Sequence, residues 1–340
     1  MKHELDNTVE QKNHLRRFSN DNVLQTIYDA LPDEKKKAFV DYREKWTLAD
    51  KERIDLPFPL CISLELISNC NLHCIHCIRS KDQWKEKAPS LFTAKRMGWD
   101  TYKRIVDECS ANNMPSIWLG CSGEALLEKQ LCEMFEYAHE KGIMDTILTT
   151  NGTLLTSEII DRLLAIPVTR INISIDAFSP ETYKVVRGHD LKKLTANIDY
   201  IIQRKEELGL KLPVVRVTFI DMPQNTHEAE AFVNYWKEKV DLVDVQKLID
   251  LDAVEPPDPD TVEPFHCCVP WRLVDIMANG DVVPCNSFFG VPDLVIGNIH
   301  EKSIKEIWDS EEFRQFREDM KNDKYKTCCM TCFASLNKDS

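Results

Sequence analysis

The sequence has few glycines, no long apolar run and no apolar N-terminal segment. Only 10 of its 340 residues are glycine, which leaves little room for flexible linkers. No run of about 18 apolar residues is present, so a membrane-spanning helix is not predicted. The N-terminus, Met-Lys-His-Glu-Leu-Asp-Asn, lacks the apolar core of an export signal. These absences predict a cytoplasmic protein without a membrane partner.

An excess of basic residues is also missing. Lys and Arg number 43 against 56 Asp and Glu, which gives a net charge of −13. Because nucleic acids are bound by basic surfaces, this balance argues against a nucleic-acid partner. The hydrophobic fraction of 43% is large enough for a sizeable core and excludes a wholly disordered chain.

Cysteine, in contrast, is abundant. The 13 cysteines are an odd number, and a reducing compartment disfavours a disulfide framework. Four of them lie in apolar or helical segments and are interpreted as packed thiols: Cys61, Cys109, Cys121 and Cys132. The others form two clusters: Cys70, Cys74 and Cys77, and then Cys267, Cys268, Cys285, Cys328, Cys329 and Cys332. The two clusters predict bound metal.

Short apolar strands alternate with amphipathic helices in the middle of the chain. Strands are predicted at 61–67, 116–119, 143–149, 171–175, 214–219 and 242–248, with helices at 100–112, 130–141, 157–164, 191–208 and 227–240. This alternation predicts βαβ units with a parallel sheet, in six units rather than the eight of a closed α/β barrel. Ligands bind at the carboxyl ends of such strands, where the first cysteine cluster lies.

The two ends of the chain differ from this middle part. Residues 1–58 are predicted to be a helical extension, and residues 59–251 form the alternating domain. The segment 252–264 is acidic and rich in proline, which predicts a linker. Residues 265–340 are predicted to form a small domain with a hairpin at Asn279-Gly280 and two helices.

The first cluster has the spacing Cys-x3-Cys-x2-Cys in a loop. A structural zinc site needs four ligands, and no fourth ligand is evident nearby. Three thiolates suit a [4Fe–4S] cluster with one iron open to an outside ligand, which indicates catalysis. The spacing of Cys70, Cys74 and Cys77 resembles that of the radical S-adenosylmethionine (SAM) enzymes.

Two further segments resemble motifs of that superfamily at the ends of the second and third predicted strands. Residues 122–126, Ser-Gly-Glu-Ala-Leu, resemble its Gly-Gly-Glu-Pro-Leu turn, with serine and alanine replacing the first glycine and the proline. In relatives the glutamate of this turn, here Glu124, holds the amino group of SAM. Ser122 in the same turn, and Asn151 in the Thr-Asn-Gly motif that follows, are then also cofactor-binding residues.

Three more residues are assigned to SAM by the resemblance. Ser174 resembles the serine that contacts SAM at the end of the fourth strand. Arg187 resembles the arginine that pairs with the SAM carboxylate, a role that suits the bidentate guanidinium group. His76 occupies the position beside the last cysteine that is usually aromatic in relatives and lies near the adenine.

The resemblance covers about residues 60–250 and implies both fold and chemistry. The implied fold is α/β, a partial (β/α)6 radical SAM barrel with a small C-terminal auxiliary-cluster domain and the helical N-terminal extension. The implied reaction is reductive cleavage of SAM to methionine and a 5′-deoxyadenosyl radical, which abstracts a substrate hydrogen. A flavodoxin- or ferredoxin-type protein is the expected electron donor.

The second cluster resembles the auxiliary iron–sulfur domains called SPASM and twitch. The resemblance implies one auxiliary [4Fe–4S] cluster with four cysteine ligands: Cys268, Cys285, Cys329 and Cys332. The neighbours Cys267 and Cys328 are alternative ligands, and a structural zinc is an alternative occupant.

An auxiliary cluster whose four irons all have cysteine ligands has no open coordination site and is best suited to accepting an electron. This favours oxidation of an alcohol on a sugar- or cyclitol-type small molecule, as in the twitch-bearing dehydrogenases of aminocyclitol biosynthesis. Maturation of a ribosomal peptide is one alternative. A redox-neutral epimerase is another, with Cys121 as its hydrogen donor. The sequence does not single out the general base.

Overall fold

The computed structural model describes residues 15–19, 22–250, 266–287 and 290–337; the predicted linker 252–264 lies outside them. The strands are β1 (Leu15–Phe18), β2 (Cys61–Leu64), β3 (Ser116–Leu119), β4 (Asp145–Thr150), β5 (Arg170–Ser174), β6 (Val214–Asp221), β7 (Leu242–Lys247), β8 (Leu273–Ile276), β9 (Asp281–Val283) and β10 (Gly297–Asn298). The helices are α1 (Val23–Ala30), α2 (Asp33–Glu52), α3 (Trp84–Lys87), α4 (Trp99–Ala111), α5 (Leu131–Glu140), α6 (Ser157–Ala165), α7 (Pro180–Arg187), α8 (Leu191–Glu207), α9 (Ala229–Trp236), α10 (Ile304–Trp308), α11 (Glu311–Lys321) and α12 (Thr327–Asn337).

The strands form one sheet in the order β1-β7-β6-β5-β4-β3-β2-β8-β9-β10. Strands β2 to β7 are parallel and adjacent in chain order, and a helix follows each of β2 to β6. The predicted α/β class and the six-unit barrel, which is not closed, are therefore confirmed. The carboxyl ends of β2 to β5 lie side by side, and we call the loops that follow them the carboxyl edge.

The N-terminal extension is not wholly helical, which corrects the prediction for residues 1–58. Strand β1 pairs antiparallel with β7 and places Arg17 opposite Asp244. The guanidinium of Arg17 donates two hydrogen bonds to the Asp244 carboxylate, at 2.8 and 2.9 Å. The sequence conceals this strand because it is four residues long and half charged, and its partner lies 227 positions away.

Helix α2 links the sheet to the C-terminal segment. Tyr42 on this helix donates a hydrogen bond to Asp145 at the start of β4, over 3.0 Å between the oxygens. Near the end of the same helix, Asp50 forms an ion pair with Arg272. The indole of Trp308 on α10 donates to the carbonyl of Leu56, at 2.7 Å. These long-range contacts pack the C-terminal segment against the parallel domain.

The predicted C-terminal hairpin extends the main sheet. Strands β8 and β9 pair antiparallel around Asn279-Gly280, and β8 also pairs parallel with β2. Residues from the far end of the chain therefore lie beside the first strand of the parallel domain. The last three cysteines lie on α12, a helix that the sequence pattern did not reveal.

One face of the sheet is polar. The register aligns Ser63 with Trp118 and with Asp275, and it aligns Thr149, Asn172 and Arg216 across β4, β5 and β6. Because side chains alternate along a strand, these residues share one face, which we call the polar face. The opposite face carries buried aliphatic side chains such as Ile62, Ile173 and Val217. No helix among the described residues is long and apolar enough to cross a bilayer.

Candidate iron–sulfur and cofactor site

Cys70, Cys74 and Cys77 lie in the loop that follows β2. Cys74 is buried and the other two are partly buried. Burial raises the pKa of Cys70 and of Cys74, and the nearby Cys77 raises both pKa values further. The three sulfurs therefore lie close enough for their charges to interact, as ligands of one cluster must.

Three N–H donors point at these sulfurs. The backbone N–H of Leu72 lies 3.5 Å from Cys70 Sγ, and the side-chain amide of Asn151 lies 3.9 Å from the same atom. Nη1 of Arg187 lies 3.5 Å from Cys74 Sγ. Donors and positive charge stabilise the thiolate over the thiol, and thiolates are the form that binds iron. The loop thus fits an iron–sulfur cluster chemically.

The turn after β3 requires glycine at its second position. Gly123 has a φ of +69°, and a Cβ on it would lie 2.1 Å from the carbonyl oxygen of Ile67. Ser122 does not have a positive φ and so needs no such freedom, and its hydroxyl accepts hydrogen bonds from Arg79 at 2.8 and 3.1 Å. The departure from the family pattern at Ser122 is therefore tolerated, whereas Gly123 keeps the residue that the backbone demands.

Glu124 joins this turn to the end of β4. Its carboxylate accepts hydrogen bonds from the Thr150 hydroxyl (2.6 Å), the Asn151 N–H (2.8 Å) and the Leu126 N–H (3.0 Å). The side chain is almost fully buried, and burial raises its pKa although these hydrogen bonds oppose the shift. The structure thus brings Glu124, Asn151 and Cys70 together.

A second group of predicted residues surrounds Asp176. This buried carboxylate, with φ of +64°, forms an ion pair with Arg187 and accepts a hydrogen bond from the Ile220 N–H at 2.7 Å. Burial acts to lower the pKa of Arg187, but the charge and hydrogen bond of Asp176, together with the charges of Cys74 and Tyr183, outweigh it and raise the pKa. Nε2 of His76 lies 3.8 Å from Asp176, and burial lowers the pKa of His76 to about 4. Arg187 therefore already has one carboxylate partner.

Two predicted residues stand apart from these contacts. Ser174 ends β5 on the polar face, aligned with Thr218 of β6. Cys121 follows β3 beside Ser63 and the carboxyl group of Asp275, and burial raises the pKa of its thiol well above the usual value. Cys121 therefore keeps its proton at neutral pH.

Five thiols of the C-terminal segment lie close together. The Cys328 hydrogen bond and burial raise the pKa of Cys329, and the charges of Cys285 and Cys267 add to the shift. Burial raises the pKa of Cys332 to about 12, with contributions from Cys267 and Cys328. We call Cys267, Cys285, Cys328, Cys329 and Cys332 the auxiliary thiols. Such mutual repulsion is relieved when a cationic cluster binds the sulfurs.

Cys268, the expected fourth ligand, takes another partner. Its Sγ donates a hydrogen bond to Oδ1 of Asp50 over 2.7 Å, and Asp50 is also paired with Arg272. Cys267, in contrast, adds to the upward pKa shifts of Cys329 and Cys332. We infer that Cys267 rather than Cys268 is the fourth ligand, which differs from the sequence-based preference. The reason is Asp50, which lies 218 positions away in the chain.

The arrangement of the cysteines is compatible with [4Fe–4S] clusters. In the described ranges, no three His, Cys, Asp or Glu side chains converge as ligands of one metal ion. The cysteines of a [4Fe–4S] cluster each bind a different iron, so they need not converge on one point.

Comparison with known proteins agrees with this chemistry. The profile of the radical SAM superfamily matches residues 64–231, so the chain belongs to this superfamily. A second profile, the SPASM iron–sulfur cluster-binding domain, matches residues 267–333. The protein is thus a radical SAM enzyme whose cofactors are SAM, a [4Fe–4S] cluster and an auxiliary iron–sulfur cluster.

Several relatives span most of the chain. The tungsten-containing aldehyde ferredoxin oxidoreductase cofactor-modifying protein of Pyrococcus furiosus is 27% identical over 78% of this chain and 85% of its own length. The structure of BtrN in complex with AdoMet and 2-DOIA has a TM-score of 0.51 at 21% identity, covering 79% of this chain and 89% of BtrN. Streptococcus suis SuiB bound to the precursor peptide SuiA has a TM-score of 0.60 at 16% identity, covering 84% and 72%. At these identities the two structures establish the fold alone.

Sequence reasoning missed four polar residues of the site region. Arg79 and Asp50 gave no signal, because their partners are distant in sequence. Arg216 and Asp275 did give one: each is a charged residue inside an otherwise apolar strand, Val-Val-Arg-Val and Leu-Val-Asp-Ile. A charge at such a position indicates a strand face that is not packed in the apolar core.

Proposed function

We propose that this radical SAM enzyme oxidises an alcohol group of a sugar- or cyclitol-type small molecule by two electrons. The observation that carries the proposal is the group of five auxiliary thiols, which is enough to supply the four cysteine ligands of one cluster. When bound, the cofactors supply a 5′-deoxyadenosyl radical and an electron acceptor. The substrate loses a hydrogen atom from carbon, a proton from the hydroxyl group and one electron, and becomes a carbonyl compound two hydrogens lighter.

The polar face supports a hydroxylated substrate. The indole N–H of Trp118 and the amide of Asn172 both donate to the Thr149 hydroxyl, at 2.8 and 3.3 Å. The Asn172 Oδ1 atom is buried without a hydrogen-bond partner in the described part of the chain. Buried polar atoms are normally bonded, so a hydroxyl group of a substrate is a suitable partner for it.

The residues of the carboxyl edge would orient SAM. In this proposal Glu124 binds the amino group, and Arg187 binds the carboxylate while still paired with Asp176. The rest of SAM contacts Ser174, Asn151 and the turn that begins at Ser122. The neutral His76 packs near the adenine. A flavodoxin- or ferredoxin-type protein delivers the electron from outside.

Isotope transfer tests the reaction class. The reconstituted, reduced protein is incubated with cyclitols and sugars that carry deuterium at each carbinol carbon. We expect deuterium in 5′-deoxyadenosine, one SAM consumed per turnover and a product two hydrogens lighter. Solvent deuterium at the reacting carbon of an otherwise unchanged product would contradict oxidation.

Redox-neutral epimerisation is the second candidate, and the observation that favours it is Cys121. Its protonated thiol lies next to Ser122, the first residue of the turn expected to bind SAM. A hydrogen-atom donor must keep its S–H bond until it reacts, which the raised pKa ensures. If the enzyme is an epimerase, Cys121→Ala should abolish product formation in heavy water. If it is a dehydrogenase, the variant should still form product. No described contact favours the third alternative, maturation of a peptide.

A further inference from the structure

Arg216 on β6 is an arginine with unused donors on the polar face. Its Nε lies 2.9 Å from Oδ2 of Asp244, and this ion pair is its one contact with a charged group in the described ranges. No N–H of its guanidinium makes a well-aligned hydrogen bond to a described residue, and 20% of the side chain is exposed. An arginine in so protected a place ordinarily uses several of its five donors.

The charges around Arg216 do not balance. Asp244 already accepts hydrogen bonds from two nitrogens of Arg17, and Arg170 on the neighbouring strand is paired with Asp145 at 3.1 Å. Three guanidinium groups thus share two carboxylates, which leaves one positive charge in excess. Burial, with repulsion from Arg17 and Arg170, lowers the pKa of Arg216 although Asp244 opposes the shift. A further negative charge would relieve this repulsion.

Asn172 is aligned with Arg216 in the register and provides a second, independent indication of a ligand. Its side chain is 5% exposed, and its Oδ1 is buried without a partner among the described residues. An unsatisfied acceptor at this depth is costly unless a donor reaches it. A hydroxyl group of a bound molecule is a suitable donor.

This pair of residues lies directly below the expected SAM position. Ser174 is two residues beyond Asn172 on β5, and Thr218 is two residues beyond Arg216 on β6, on the same face. Two residues of a strand span about 6.6 Å. A molecule held by Arg216 and Asn172 would therefore present its other end to the region of Ser174.

We propose that Arg216 and Asn172 bind the substrate through a negatively charged oxygen group, a carboxylate or a phosphate, together with a neighbouring hydroxyl. The substrate class is then an anionic polyol, such as a sugar acid or a sugar phosphate. Planar guanidinium groups bind such groups through paired hydrogen bonds. The inference rests on the proposed oxidation of a hydroxylated small molecule, and it adds the charge that the substrate must carry.

Calorimetric titration of the reconstituted full-length protein with SAM tests this inference. The probes are D-gluconate, D-glucose 6-phosphate and uncharged myo-inositol, so that carboxylate and phosphate are distinguished. We expect one charged probe to bind more tightly than myo-inositol. Arg216→Gln should weaken that binding by about tenfold to a hundredfold, the effect of losing hydrogen bonds to a charged group, and Arg216→Lys should recover part of it. Arg204→Gln on the outer helix α8 is the matched control.

A second variant keeps the test decisive if Arg216→Gln does not fold. Asn172→Asp is nearly isosteric and places a carboxylate beside Arg216, so it should also abolish binding of the charged probe. The inference would be overturned if all three probes bound equally well. It would also be overturned if the charged probe still bound tightly to both variants. Arg216-dependent binding without oxidation would refute the proposed reaction and leave the anion site standing. If the Arg216→Gln variant still oxidised neutral alcohols, the anion site would be refuted and the proposed reaction would stand.

Discussion

The carboxyl edge and the auxiliary thiols both hold iron–sulfur ligands, but they are assembled differently. At the carboxyl edge each functional residue follows a parallel strand, and hydrogen bonds such as those of Glu124 and Asn151 already join neighbouring loops. Among the auxiliary thiols, ligands come from a loop, a hairpin and α12, and adjacent cysteines take different partners. Local motifs therefore describe the first site well, whereas long-range packing decides the second.

The largest expected effect concerns the carboxyl edge. Changing Cys70, Cys74 and Cys77 together to Ala should abolish SAM cleavage and halve the iron content, from about eight to about four atoms per chain. The auxiliary cluster should remain, because it shares no ligand with this loop. Iron analysis and 5′-deoxyadenosine formation measure the two outcomes. Loss of all iron would show that the two sites do not load independently.

The next prediction separates the two neighbouring cysteines. Cys267→Ser should remove the auxiliary cluster, whereas Cys268→Ser should retain it, because the serine hydroxyl can still donate to Asp50. Iron content and the electron paramagnetic resonance spectrum of the reduced protein distinguish the variants, with SAM cleavage as a control for the first cluster. If Cys268→Ser loses the auxiliary iron and Cys267→Ser does not, the sequence-based assignment was right and the structural one is wrong.

A smaller effect is expected at Glu124. Glu124→Gln keeps the size of the side chain but removes its charge, so SAM binding should weaken by about 2–5 kcal/mol. Arg187→Gln should weaken binding in the same direction, through the carboxylate of SAM. Equilibrium binding of SAM to the reconstituted protein measures both, and Glu136→Gln on the exposed side of α5 is the control. Unchanged affinity in both variants would refute the assignment of these motifs.

The same contrast explains what the sequence could predict. The six parallel strands and most helices were predictable because hydrophobic periodicity is local, and the loop motifs follow them. Strand β1 was not predictable, because it is held by backbone pairing with β7 and by the hydrogen bonds of Arg17 to Asp244, far away in the sequence. Cys268 and Cys267 are alike in sequence, and only the position of Asp50 in the fold separates them. Arg216 and Asp275 were visible as charges in apolar strands, but their shared face depends on the register.

Asp275 connects the two regions and gives the smallest expected effect. It lies on β8 of the C-terminal segment, yet it faces Ser63 of β2 and the Cys121 thiol. It is fully buried, and neither carboxylate oxygen makes a well-aligned hydrogen bond within the described ranges. Burial raises its pKa from 3.8 to about 7, although Ser63 and Cys121 oppose the shift. The folded protein thus binds this proton more tightly than the unfolded chain does.

The sign of the pH dependence follows from that shift. Ionisation of Asp275 favours the unfolded state, so its contribution to stability is full below pH 4 and is lost as the pH rises to about 7. Asp275→Asn should remove this loss. The stability difference between the variant and the parent protein should therefore shift in favour of the variant from pH 5 to pH 8, by on the order of 1 to 4 kcal/mol. Denaturant unfolding at the two pH values measures it, and Asp100→Asn on the exposed side of α4 is the control. If Asp275→Asn leaves the difference between pH 5 and pH 8 unchanged, the carboxyl group is already ionised in the folded protein. The C-terminal strand would then bring a charge, rather than a proton, to the polar face.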